Sequence, residues 1–143
     1  MKAYYCRVSV VLPLAQPATG PRLERPEQVA HYCKDLGDLG QESFHVLTLD
    51  RKHKVIGRHM ASLGSLTASL VHPREVFRPA LLDNAASVIL VHNHPSGEPE
   101  PSRDDRELTE RLVQAGEILG IKILDHVIVG RGRHYSFVEA GLI

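Results

Sequence analysis

Two histidines lead a stretch rich in carboxylates: His92-Asn93-His94-Pro95-Ser96-Gly97-Glu98-Pro99-Glu100-Pro101-Ser102-Arg103-Asp104-Asp105. They follow the apolar run Ser87-Val88-Ile89-Leu90-Val91. In an extended chain, residues two apart point to the same side, so both imidazoles converge on one point. Strands of α/β proteins commonly deliver ligands at their carboxyl ends. The helix expected after this loop carries Leu108, Leu112, Ala115 and Leu119 as its apolar stripe. Asp105 lies three residues before Leu108 and shares that inward face, whereas Asp104 belongs to the outer, charged face. An inward carboxylate at the head of a helix is costly unless something pairs with it. Two histidines and one carboxylate suit a divalent metal, zinc foremost. Three protein ligands leave a fourth position for water, the arrangement of a catalytic zinc site.

Plainer readings compete. A single histidine at a strand end is more often structural than a ligand. Ser102 with Asp105 spells a helix capping box, S-x-x-D. From spacing alone, metal ligation and helix capping both stand. The letters His92-Asn93-His94 also spell the name of a nuclease motif. Such nucleases space these residues widely over a ββα unit. Here Glu98, Glu100, Asp104 and Asp105 stand against Arg103 alone, and would repel phosphate.

The elements that must position these groups are legible in outline. Tyr4 to Leu12 reads as a strand, and Pro13, Pro17, Gly20 and Pro21 mark a loop. Pro26 opens a helix running to about Leu36, which Gly37 stops. Phe44 to Leu49 and Val55 onward are strands of a hairpin turning at Asp50-Arg51-Lys52-His53, and Leu63-Gly64-Ser65-Leu66 ends it. Pro73 opens a helix with Val76, Ala80 and Leu81 at helical spacing, ending near Asn84. The run Ser87 to Val91 shows no alternation, so it is covered on both faces and sits centrally in a sheet. Ser102 starts a long helix with Gly120 just past its end. Ile121 to Val129 and His134 to Val138 are the closing strands. The reading is one layered α/β (α+β) domain, a mixed central sheet flanked by helices.

Composition sets the bounds. The chain has 143 residues, with 17 Lys+Arg against 17 Asp+Glu, 9 His, 2 Cys and no Trp. That length suits one domain able to bury its own core. Balanced charge argues against a freestanding nucleic-acid binder, which usually shows a basic excess. Cys6 and Cys33 form no CxxC, which favours a reduced, cytoplasmic setting with both thiols inert. No apolar run approaches the roughly 20 residues of a membrane span. Lys2 and Arg7 before Val8 to Ala15 have the outline of a secretion signal, but the alternating residues suit a strand better.

H-x-H, seven residues, S, two residues, D is the pattern of the JAMM metallopeptidases, and His92, His94, Ser102 and Asp105 match it position by position. More closely, the chain resembles the RadC family. The matching stretches are Gly64-Ser65-Leu66, Val71 to Phe77, Val91 to Gly97, Pro101 to Asp105, and Leu124 to Gly130. The resemblance implies a JAMM/MPN-like domain over 26–143, with 1–25 as an N-terminal strand and loop of the same domain. It also implies an outline like that of the cytidine deaminases, although their H-x-E and PCxxC pattern is absent here.

The resemblance further implies metal-assisted amide hydrolysis. Zinc would be held by His92, His94 and Asp105 and would acidify a water. Glu42, entering the strand Phe44 to Leu49, matches the family's general acid/base, and the Ser102 hydroxyl would help to stabilise the oxyanion. From the residues alone Glu75, Glu98 and Glu100 are rivals, and Glu42 reads as a surface carboxylate before a strand. His126 after Asp125 suits a structural hydrogen bond, and His72 a helix entry. His31, His45, His53, His59 and His134 show no partner spacing. Arg131, Arg133 and His134 form a basic hairpin tip facing solvent or a polyanion.

Longer RadC proteins carry an N-terminal helix-hairpin-helix region suited to DNA, and the resemblance here is to a short form without it. Two functions follow. One is a zinc peptidase or isopeptidase-like hydrolase acting on a peptide substrate. The other is a non-enzymatic module, associated with DNA repair or a partner, that keeps the metal for structure. An edge strand near either terminus is suited to pairing two copies of the chain as a dimer.

Overall fold

The computed structural model describes residues 17–64 and 71–143. In chain order the elements are α1 (Pro26–Tyr32), a 3-10 turn (Lys34–Asp38), β1 (Ser43–Leu49), β2 (Val55–Leu63), α2 (Pro73–Leu82), β3 (Ser87–Asn93), α3 (Arg103–Leu119), β4 (Lys122–Val129) and β5 (His134–Ser136). The expected strand Tyr4 to Leu12, Cys6 and the Ser65-Leu66 strand end lie outside the described residues.

The strands form one sheet in the order β2-β1-β3-β4-β5. Only β3 and β4 run parallel, and every other neighbouring pair is antiparallel. Parallel neighbours need a crossover, which α3 supplies. All seven residues of β3 are buried, as its unbroken apolar run requires of a central strand. Alternation along the strands sorts two cores. Phe44, Val46, Val88 and Leu90 pack under α2 and α3 with Phe77, Leu108 and Leu112. Leu47, Leu49, Ile89, Val91, Val127 and Val129 pack under α1 with Leu23, Val29 and Leu36. His92 continues the first set and Asn93 the second.

β4 breaks this rhythm once. Val88 pairs with Ile123, but Ile89 pairs with Asp125, so Leu124 is an extra residue. The bulge shifts the phase, and His126 joins Ile123 on the α3 face.

Helix α3 has the ends its sequence announces. Ser102 caps it, and Gly120 closes it at φ 71°, a left-handed conformation that glycine adopts without penalty. Its buried stripe is Asp105, Leu108, Thr109, Leu112 and Gly116, so Asp105 points inward and Asp104 stays exposed. Leu119 and Leu81, expected on apolar stripes, instead line a surface groove and are 47% and 60% exposed. The first helix is also shorter than expected. It ends at Tyr32, and the chain tightens into the 3-10 turn, running through Gly37 rather than stopping there. The tighter turn buries Leu36 and lays Gly37 against the Gly130 carbonyl. Among the described residues no helix is long and apolar enough to cross a membrane.

Candidate metal centre

The carboxyl end of β3 and the first turn of α3 meet under the sheet's α3 face. His92 Nε2 lies 3.2 Å from Asp105 Oδ1, and His94 Nε2 lies 3.1 Å from Asp105 Oδ2. The two Nε2 atoms are 3.1 Å apart. His92 is fully buried, while the His94 side chain keeps 12% of its surface open to solvent. Both sequence readings of Asp105 hold together. Its Oδ2 accepts the Ser102 N–H at 2.7 Å, and its own N–H donates to Ser102 Oγ at 3.1 Å. The capping box and the converging triad therefore share one carboxylate.

The remaining ring nitrogens assign the tautomers. His94 Nδ1 is 2.8 Å from the Glu98 carbonyl, which only accepts, so Nδ1 carries the proton and Nε2 a lone pair. On the other side, the Thr109 hydroxyl donates to the Asp105 carbonyl at 2.6 Å. Its oxygen then accepts from His126 Nδ1, 2.6 Å away. This leaves a lone pair on His126 Nε2, which faces His92 Nδ1 at 2.7 Å. His92 Nδ1 is the donor there, and its Nε2 also carries a lone pair. With both rings in these neutral tautomers, two imidazole lone pairs and a carboxylate face one another, and only a shared proton or a cation can sit between them. Such a donor set fits a divalent metal of the zinc class.

Without an ion, hydrogen bonds and opposite charge hold the three groups together. Burial alone would raise the Asp105 carboxyl, but the hydrogen bonds with His92 and His94 outweigh it and hold the group well below the usual range. Asp105 in turn raises His94, against the effect of burial. Burial drives His126 far below the ordinary histidine range and keeps it neutral. Phe44 stacks on His92 at 5.9 Å and Phe137 on His126 at 4.7 Å, so aromatic rings wall the histidine pair.

Glu42 precedes β1 and is half-buried. The antiparallel register pairs Phe44 with His92. That pair is the last of the ladder, and Glu42 lies two residues beyond it, at the end of the sheet where His94 follows β3. Its negative charge contributes to raising His94. The rival glutamates are engaged elsewhere. Glu75 pairs with Arg74 and Arg78 on α2, and Arg133 holds Glu98 at 3.1 Å and Glu100 at 3.1 Å. Arg131 and Arg133 of the basic tip are exposed, as expected, and Arg133 in addition ties the tip to the acidic loop after His94. Gly130 makes this possible, because any side chain there would run into the Gly97 carbonyl.

His72 caps α2 with its backbone, as expected at a helix entry. His59, on the edge strand β2, bonds Asp83 at the C-terminal end of α2 at 2.7 Å. His134, which showed no partner spacing, meets Glu27 and Glu139 at the surface, with ligand atoms within 4.8 Å. Burial pushes the Cys33 thiol up to about 11, so it is inert at neutral pH. Sequence reasoning missed Thr109 and the tautomer-setting part of His126. The signal available was a Thr four residues after Asp105 on the inward stripe.

A family model described as the RadC-like JAB domain matches residues 23–142. A UPF0758 protein of Geobacter sulfurreducens is 54% identical over 123 residues, covering 85% of this chain and 54% of that protein. One from Pelobacter propionicus is 49% identical over 143 residues, covering 95% and 62%. One from Methanosarcina acetivorans is 54% identical over 103 residues, covering 72% and 45%. The chain spans about half the length of the curated relatives it matches.

Proposed function

The chain belongs to the RadC family, as a RadC-like JAB domain, and from that premise we propose that it is a zinc-dependent hydrolase of the metallopeptidase or isopeptidase type. The observation that carries this reading is the convergence of two imidazole lone pairs and one carboxylate, within 4.8 Å, beside a half-buried glutamate. His92, His94 and Asp105 would hold the ion. When bound, zinc supplies Lewis acidity, polarising a carbonyl and bringing the pKa of a water to about 7.

The chain's own residues do the rest. His126 and the Glu98 carbonyl keep the His92 and His94 protons on Nδ1, so both Nε2 atoms stay available. The Glu42 carboxylate takes the proton of the attacking water and returns it to the departing amine nitrogen. Ser102 Oγ accepts from the backbone in the cap, which leaves its own proton free to donate to the oxygen that gains charge. The substrate is a peptide or isopeptide, reaching the centre from the side where His94 meets solvent.

Elemental analysis of the wild type and of Asp105→Ala tests the reading. Near one zinc per chain, lost in the variant, is expected. No uptake after reconstitution with zinc at neutral pH overturns it. With the metal in place, peptide cleavage should vanish in Glu42→Gln while zinc is retained. Salt-dependent DNA binding that ignores that substitution, in a zinc-loaded chain that cleaves nothing, would point instead to a binding module with a structural metal.

A further inference from the structure

The side chain between the two histidines performs none of the tasks above. Asn93 is fully buried and lies on the α1 side of the sheet, opposite His92. Its Oδ1 accepts the Ser43 N–H at 2.8 Å and the Ser43 hydroxyl at 3.1 Å. Its Nδ2 donates to the Gln41 carbonyl at 3.0 Å. The two backbone partners belong to the peptide units on either side of the Glu42 Cα. Peptide units are planar, so φ and ψ of Glu42 are the only soft torsions between them. One amide therefore bridges both units. On the β3 side the ladder does not reach this point, because its last pair with β1 is Phe44 with His92. On the other edge the Gly64 N–H donates to the Glu42 carbonyl at 2.8 Å, so the β2 side braces the second unit and Asn93 ties both together.

We infer that Asn93 is a positioning residue, which fixes the backbone on both sides of Glu42 and so aims that carboxylate at the His92, His94 and Asp105 cluster. The inference rests on the reading of Glu42 as the proton carrier. A primary amide suits the task because it offers an acceptor and a donor on one plane. A carboxylate lacks the donor and an alkyl group lacks both.

Asn93 is itself held by a one-way chain of hydrogen bonds. Asp35 grips the Arg58 guanidinium at 2.9 and 2.8 Å. Arg58 Nε faces His45 Nδ1 at a long 3.5 Å, and His45 Nε2 lies 3.1 Å from Ser43 Oγ. The Ser43 hydroxyl then donates to Asn93. The order requires a neutral His45, with a lone pair on Nδ1 and a proton on Nε2. Burial, reinforced by the Arg58 charge, lowers that ring to about 4 and keeps it neutral. The amide oxygen is thereby turned toward Ser43 and the amide nitrogen toward Gln41.

Cobalt(II) in place of zinc gives visible bands whose pH dependence reports the surroundings of the ion. These bands are titrated in wild type, Glu42→Gln, Asn93→Ala and Ser43→Ala. Exchange of the Ser43 amide proton is followed in the metal-free proteins. In Asn93→Ala, Ser43 should exchange about tenfold faster while Leu90 and Val91 keep their protection. Its cobalt midpoint should move in the same direction as in Glu42→Gln, at unchanged cobalt content. Ser43→Ala keeps the backbone bond and should move the midpoint less.

Unchanged Ser43 exchange overturns the inference alone. So does faster exchange with a wild-type midpoint, which would make Asn93 a structural clamp only. If Asn93→Ala does not fold, Ser43→Ala decides, and a wild-type midpoint there overturns the inference. No cobalt uptake, or a midpoint indifferent to Glu42→Gln, overturns the reading of the site beneath it, and the inference falls with that reading.

Discussion

His126 Nε2 stands 2.7 Å from His92 Nδ1, and no carboxylate lies between the two rings. Ligating histidines are commonly oriented by a carboxylate or a backbone carbonyl. Here a second, neutral histidine takes that place, and its own proton is spent on Thr109.

Removing that support should weaken zinc binding without removing a ligand. His126→Phe and Thr109→Val are each expected to lower zinc affinity by about 10- to 100-fold. Competition against a chromophoric chelator measures this. Affinity equal to wild type in both variants would show that His92 needs no such support.

Zinc should stabilise the folded chain by mass action. At free zinc of about 100 times the dissociation constant the gain is about 2.7 kcal/mol. Thermal unfolding with and without excess zinc reads it as a rise in Tm, and Asp105→Ala should abolish the rise. A variant that still gains from zinc would place the ion elsewhere.

The metal-free chain should lose stability in mild acid. His45 titrates at about 4 in the folded protein, below its ordinary 6.5, because of burial and the Arg58 charge and despite Asp35. Between these values the unfolded chain binds more protons, so stability falls as pH drops from 6.5 toward 4. His126, also held neutral by burial, acts in the same direction. Urea midpoints at a series of pH values should therefore fall over that window, and less steeply in His45→Gln. Equal slopes would rule out His45 as a contributor.

The clamp on the loop after His94 should depend on close packing more than on charge. Arg133→Ala removes exposed ion pairs and should cost no more than about 1 kcal/mol. Gly130→Ala forces a methyl group onto the Gly97 carbonyl and should cost about 1–3 kcal/mol, with weaker zinc binding. Paired denaturation and zinc titration of both variants give the ranking, and the reverse order would refute it.

Much of the centre's frame is written in local periodicity. The apolar run before His92 marks a doubly covered strand, and alternation sets His92 and Asn93 on opposite faces. The helical period sends Asp105 inward and Asp104 outward, between a Ser cap and a Gly stop. Each of these signals spans a single element. Leu81 and Leu119 fit the same rule and still ended in a surface groove, because the period shows which residues share a face and not how far the neighbouring element reaches.

By itself, the sequence determined the central strand, the capped helix and the candidate ligand set carried on them, because backbone sterics and hydrophobic alternation act within a few residues. Three things were decided only by tertiary structure. The antiparallel register of β1 on β3 brought Glu42 to the end of the sheet where His94 follows β3, and Ser43 to Asn93, fifty residues away in the chain. The bulge at Leu124 turned His126 toward His92. The β4–β5 turn met the acidic loop and engaged Glu98 and Glu100. All three depend on which strand lies beside which and in what register. That choice is made by the whole core packing at once, and no short stretch of residues encodes it.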